Sequence, residues 1–225
     1  MDDNFVPALG KTLYSDGFRK GTEATSDGIQ SDRIRQATSY IYDHIDQLNH
    51  LICNLAANKN TPPQCKMGCG YCCHQPVYAS THEIEYLIDY LQKNSDRIDL
   101  SQILLRARNK YDHLKKLSND ELKSSKYPCP LLDKDACLAY QARPVACRIY
   151  LSFSVKSCID FFEKPEQEAS IPNLMEFPLK MGRMLNEGFI AGLKLNGYQL
   201  REVRIEEGLL GILDQGFPPD LVVEI

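Results

Sequence analysis

The sequence predicts a mostly α-helical fold: a helical bundle-like domain enclosing a small irregular, β-containing, cysteine-rich core. Three observations carry this reading. Apolar residues recur at three- and four-residue steps over several long segments, the period of a helix with one buried face. Eight of the nine cysteines fall into two blocks outside those segments, at 65–73 and 129–158. Extended signals are confined to short pieces beside the cysteines, around 74–79, 131–132 and 149–151.

Taken in order, residues 1–30 hold Gly10, Gly17, Gly21 and Gly28 among Ser, Thr and Asp, and read as a flexible or loosely packed arm. Residues 31–162 form the helical and cysteine-cluster domain, and 163–225 supply helices that pack on it. The first helix, 31–57, carries Ile34, Ala37, Ile41, Leu48, Leu51, Ile52 and Leu55 as its stripe. His44 and His50 are surface or partly packed residues on it, and Cys53 sits in or near the core. Pro62-Pro63 then holds an extended entry into the cysteines. Ser80 and Glu83 form a capping box before Ile84, Leu87, Ile88 and Leu91, which makes His82 a first-turn residue rather than a ligand. A further helix spans 100–117; Arg106, Arg108, Lys110, Lys115 and Lys116 form its solvated face. Helices over 177–195 and 199–213 follow, with Gly197 as a cap between them.

The first block reads Cys65-Lys66-Met67-Gly68-Cys69-Gly70-Tyr71-Cys72-Cys73. Thiolates are soft donors that suit zinc and iron, and Cys69-x-x-Cys72 is a loop short enough for two sulfurs to reach one ion. Gly68 and Gly70 give that loop backbone freedom. Helical geometry would bring Cys65 and Cys69 onto one face. Cys72 and Cys73 diverge as neighbours: one ligates while the other is spare, or the pair splits between two sites. The second block offers Cys129 between two prolines, Cys137 after an Asp-Lys-Asp turn, Cys147 and Cys158. His74, Arg143 and Arg148 are candidates to stand beside the ligands, since positive groups near thiolates favour deprotonation.

Composition narrows the function classes. A formal charge of −4 with interspersed signs gives no basic field for nucleic acid. No signal peptide and no membrane-spanning stretch is visible. With no export signal, nine cysteines read as ligands rather than disulfides, and the expected location is cytoplasmic.

The two blocks together resemble the YkgJ-like zinc- or iron-chelating family, also called the CxxCxxCC domain. The resemblance rests on Cys65, Cys69, Cys72 and Cys73, on Cys129-Pro130-Leu131-Leu132, and on Cys137, Tyr140, Arg143, Pro144, Cys147 and Arg148, with Cys158 as a trailing cysteine. It covers roughly residues 62–160 and departs in one place: three residues, not two, separate Cys65 from Cys69. The resemblance implies metal chelation by these eight cysteines, with Tyr140 beside the site, and no established catalytic activity; a related cysteine domain occurs in flagellin lysine methylases.

Three readings follow. The first is a metal-binding protein with a cysteine-ligated zinc or iron centre. The second is an iron–sulfur enzyme, a redox protein or protein lysine methylase-like. It draws on Cys65-x₃-Cys69-x₂-Cys72, a spacing associated with radical S-adenosylmethionine clusters, but the chain lacks the β/α repeats of the usual barrel. The third is a structural metal that supports a surface for a protein partner.

Overall fold

A computed structural model describes residues 5–167, 170–214 and 223–224. The protein is mostly α-helical with small sheets, as the periodicity predicts. Its contacts divide the chain into two compact units. Unit 1 takes the chain through Pro63, then Val145–Leu151 and Leu174–Leu200; unit 2 takes Gln64–Pro144, Ser152–Asn173 and the chain from Arg201 onward.

Unit 1 holds α1 (Phe5–Thr25), α2 (Ser31–Asn58), α6 (Val145–Ile149) and α8 (Glu176–Leu195). Helix α1 corrects the expected loose arm. Its glycines do not break it; they admit another backbone. A Cβ at Gly17 would stand 2.1 Å from the Leu185 carbonyl oxygen, and one at Gly188 would stand 2.0 Å from that of Tyr14. Helices α1 and α8 therefore approach backbone to backbone. Helix α2 buries Ile34, Ala37, Ile41 and Ile45 against this pair, while α8 contributes Met181, Leu185, Phe189 and Leu193. The predicted stripe of α2 fails at its C-terminal end. Leu51 and Leu55 are exposed, and Cys53 is only half-buried rather than a core residue.

Unit 2 holds α3 (Thr81–Lys93), α4 (Leu100–Leu114), α5 (Asn119–Ser124), α7 (Val155–Glu163) and α9 (Ile205–Leu213). The capping box before α3 is present: the Glu83 carboxylate accepts from the Ser80 N–H at 3.0 Å. Strands β1 (Tyr78–Ser80), β4 (Arg201–Arg204) and β5 (Val223–Glu224) form an antiparallel sheet in the order β1-β4-β5, with Tyr78 opposite Arg204. The single helix expected over 199–213 is thus a strand followed by α9. Residues 149–151, expected as extended, begin at the end of α6. Strands β2 (Leu132–Asp133) and β3 (Ala136–Cys137) form a hairpin. One core unites these elements through Ile84, Leu87, Leu91, Ile103, Ala107, Leu131, Leu209 and Leu210, and Cys129 belongs to it. Among the described residues, no helix is long and apolar enough to cross a membrane.

Candidate metal centre

Seven of the eight cysteines predicted as ligands fall in unit 2, on three chain segments. Cys147 falls on α6 in unit 1. The first segment enters extended, and the backbone N–H groups of Gln64 and Cys65 both donate to the Ser152 carbonyl, at 3.1 and 3.2 Å. It then turns rather than coiling into the helix that would have stacked Cys65 over Cys69. The Cys69 N–H donates to the Lys66 carbonyl at 3.1 Å, with Gly68 at φ +87°. That is the left-handed region, where a side chain is strained. A short 3₁₀ turn follows at Tyr71–His74 and carries Cys72 and Cys73.

The second segment is tied to this turn by backbone. The Cys129 N–H donates to the Cys73 carbonyl at 2.7 Å, and the Tyr127 N–H to the His74 carbonyl at 2.8 Å. From Cys129 the chain passes into β2, reverses through Lys134 and Asp135, and returns in β3 with Cys137 opposite Leu132. Lys134 and Asp135 have φ of 45° and 63°, the twist that suits a two-residue hairpin. Gly70 lies under this hairpin: a Cβ there would meet the Asp135 Cα at 3.3 Å.

The third segment brings Cys158 on α7. The Ser154 hydroxyl caps the helix by accepting from the Ser157 N–H. Phe162 fixes its position, edge-on to Tyr71 at 5.8 Å and to His74 at 4.8 Å between ring centres. Position and spacing had not marked this aromatic contact, although Phe161-Phe162 stands in plain sight after Cys158. On the other face of α7, the Lys126 amino group lies 3.9 Å from the centre of the Phe161 ring.

Two charged residues are set toward the cysteines. Arg143 stacks on Tyr140 at 3.8 Å, and its charge acts on Cys72 and Cys137 in favour of their thiolates. Lys110 is almost fully buried. It donates to the carbonyls of Tyr127 (2.9 Å) and Gln75 (3.3 Å), and its charge acts on Cys129. This corrects the reading of α4 as having a solvated basic face, because Arg106 also turns inward, donating to the Leu132 carbonyl at 2.9 Å. Among the other predicted neighbours, the His74 ring nitrogen Nδ1 lies 3.1 Å from the Gly70 carbonyl oxygen. Assigning the proton to Nδ1 leaves Nε2 as the acceptor. Arg148 is engaged within unit 1, where it pairs with Asp46 and lies over the Tyr42 ring at 4.0 Å.

The thiols resist ionisation without a cation. Burial pushes Cys65 up to about 11 and Cys129 up to about 12, and it also raises Cys69 and Cys137. A hydrogen bond between the Cys72 and Cys73 side chains, joined by burial, raises Cys72 well above the ordinary thiol range. Soft sulfur donors in this number fit zinc or iron. Among the described residues, no group of three or more His, Cys, Asp or Glu side chains already stands where it could hold an ion. The backbone framework is built, but its donors are not closed on one point.

Residues 64–169 match the family model described as CxxCxxCC, putative zinc- or iron-chelating domain. No curated protein and no solved structure matches the chain. The match begins at Gln64, where the chain enters unit 2, and takes in all three cysteine-bearing segments. Over residues 64–169 the chain is therefore similar to the CxxCxxCC domain, a putative zinc- or iron-chelating domain.

Proposed function

We propose that the protein chelates zinc or iron through the thiolates of unit 2: Cys65, Cys69, Cys72, Cys73, Cys129, Cys137 and Cys158. Cys147 lies on α6 of unit 1 and is not drawn on. The observation that carries the reading is the backbone tie between two cysteine segments far apart in sequence. The Cys129 N–H donates to the Cys73 carbonyl at 2.7 Å, and the hairpin that presents Cys137 turns over Gly70, between Cys69 and Cys72. Nothing in a packed core asks for that. A lone buried thiol behaves as a small hydrophobe, but thiols gathered around one another favour a cation that takes their protons' place.

When bound, the ion supplies the charge that makes the thiols thiolates, and uptake releases protons. The protein's part is to hold the three segments together. Gly68 shapes the loop around Cys69, the Cys129–Cys73 backbone bond fixes the second segment, and Phe162 seats the third. Arg143 and Lys110 offset the negative charge of the thiolates. Nine free thiols suit a reducing compartment, which is why we place the protein in the cytoplasm.

The test is elemental analysis and an absorption spectrum of protein purified without oxygen, alongside a Cys69→Ser variant. Bound zinc or iron that falls in the variant, together with a lowered melting temperature, is the expected result. Unchanged metal content and melting in Cys69→Ser would sink the assignment. The spacing Cys65-x₃-Cys69-x₂-Cys72 favours one second reading, an iron–sulfur centre. Iron with acid-labile sulfide and broad visible absorption would move that reading ahead, and methionine-cofactor cleavage would be the next assay.

A further inference from the structure

We propose that α7 is a lid over the first cysteine segment, and that it swings away from the turn bearing Cys72 and Cys73 while the rest of unit 2 stays folded. That the opening admits zinc or iron to these thiols rests on the chelating function proposed above; the opening itself does not.

Composition and burial disagree in α7. Val155, Cys158, Ile159, Phe161 and Phe162 make five of its nine residues apolar, yet none of the nine is buried. Helices α3, α4 and α9 of the same unit each bury five or six residues. Helix α5 also buries none, but it is short and mostly polar and has little to bury. A helix in a folded protein takes most of its stability from burying its apolar face. With that face only half covered, α7 belongs to the part of the unit that opens most readily.

Its attachments are uneven along its length. The root is fixed. Ser152 is buried, its carbonyl accepts from the N–H groups of Gln64 and Cys65, and its hydroxyl donates to the Asn173 carbonyl at 2.9 Å. The Phe153 N–H reaches the same carbonyl at 3.0 Å. In the first turn the Val155 N–H donates to the Gln64 side-chain oxygen at 2.9 Å, and the Ser157 hydroxyl oxygen accepts from the Asn173 N–H at 2.9 Å. Beyond Ser157 the character changes. The ion pair of Lys156 with Asp160 lies within the helix. The contacts that reach outward are made by rings: Phe162 stands edge-on to Tyr71 and His74, and Phe161 lies under the Lys126 amino group. Such contacts are individually weak. A hydrogen-bonded root followed by a distal half held through two phenylalanines is a hinge and a latch.

The latch closes on the cysteine turn. Tyr71 and His74 are the two ends of the 3₁₀ turn, and Cys72 and Cys73 are the residues between them. That turn stays in place when the helix lifts, because the Cys73 and His74 carbonyls accept from the N–H groups of Cys129 and Tyr127. Cys158 lies beyond the hinge, so opening carries this thiol away with the helix.

The experiment is hydrogen exchange read by mass spectrometry on the full chain, together with iodoacetamide alkylation mapped to each cysteine. A chelator and a reductant are present, so that no bound ion shields the thiols. Amides of α7 should exchange faster than those of α3 and α4 by about 100-fold or more, since they open without global unfolding. In Phe162→Ala, Cys72 and Cys73 should alkylate several-fold faster than in the wild type, while α3 and α4 keep their slow exchange. Cys53, on α2 of unit 1, should alkylate equally in both chains. Exchange in α7 no faster than in α3 and α4 overturns the lid. So does fast exchange in α7 with unchanged alkylation of Cys72 and Cys73 in Phe162→Ala, the mark of a fraying helix that gates nothing. A variant whose α3 and α4 amides lose their slow exchange also overturns it, because α7 would then hold the unit together. None of these results bears on whether the thiols bind zinc or iron, which the metal analysis decides alone.

Discussion

Replacing Gly188 by alanine sets helix propensity against packing, and the structure says which wins. In the interior of a helix such as α8, alanine is favoured over glycine by about 1 kcal/mol. At position 188 the new Cβ would stand 2.0 Å from the Tyr14 carbonyl oxygen and 3.0 Å from the Phe18 nitrogen. Both are backbone atoms of α1, so no rotamer change relieves the contact. Ordinary contact begins at 3.4 Å, so the helices must part by roughly 1.4 Å. Gly17, Gly21 and Gly192 make equally close approaches along the same interface, so opening it at one point loosens the rest and strips cover from Leu185 and Phe189.

Overpacking of this kind costs about 1–3 kcal/mol, and here it lies at or above the upper part of that range because backbone must move. The net loss is about 1–2 kcal/mol, or about 2–8 °C in Tm for a chain of this length. Gly211→Ala is the control. It lies in α9 with nothing within 4 Å of the added Cβ, so the propensity gain of up to about 1 kcal/mol acts alone. Thermal and urea denaturation followed by circular dichroism measure both. A Gly188→Ala protein as stable as the wild type would refute the close approach of α1 and α8.

Two further outcomes follow from unit 2. Lys110→Met keeps the apolar stem but leaves the carbonyls of Tyr127 and Gln75 without their donor; relief from burying a cation offsets part of the loss, and urea denaturation should show a deficit of about 2 kcal/mol together with weaker metal uptake, whereas an unchanged midpoint and uptake would remove Lys110 from the framework. His82 is fully buried, and that burial lowers its pKa from 6.5 to about 3, so the unfolded chain takes up a proton that the folded chain refuses. Stability is therefore full above 6.5 and declines as pH falls from there toward 3, by up to ~1.5 kcal/mol between pH 6.5 and 5. His82→Gln should flatten that part of the pH profile; an equal slope in the variant would count against the assignment.

What the sequence could disclose depended on how local each determinant is. Helices α3 and α8 were legible because one apolar stripe and one cap define each: Ser80 with Glu83 for α3, Met181 to Leu193 for α8. Helix α1 was not, since glycine signals a break by its own conformational freedom and a close approach only by its partner, and the partners of Gly17 and Gly21 lie far along the chain in α8. Strand β4 was hidden in the same way. Leu200 and Val203 fit a helical stripe with Leu210, and only pairing with Tyr78–Ser80, more than a hundred residues earlier, draws residues 201–204 into a strand.

The metal centre divides along the same line. Spacing identified which cysteines lie within one loop, but spacing cannot say which loop shares a hydrogen bond with which. The Cys129 N–H to Cys73 carbonyl bond, which ties the second cysteine segment to the first, is a product of the fold. Lys110 lies between these extremes. Ile103, Ala107, Lys110 and Leu114 follow steps of four, three and four, the register of the buried stripe itself, and all four are buried. A lysine there contradicts its own position unless something inside needs a donor. Read by charge, it joined a solvated face; read by register, it pointed to the Gln75 and Tyr127 carbonyls and, beside them, to Cys129. A polar residue in step with an apolar stripe is thus a local sign of a non-local demand, and here that demand comes from the chain on either side of the cysteines.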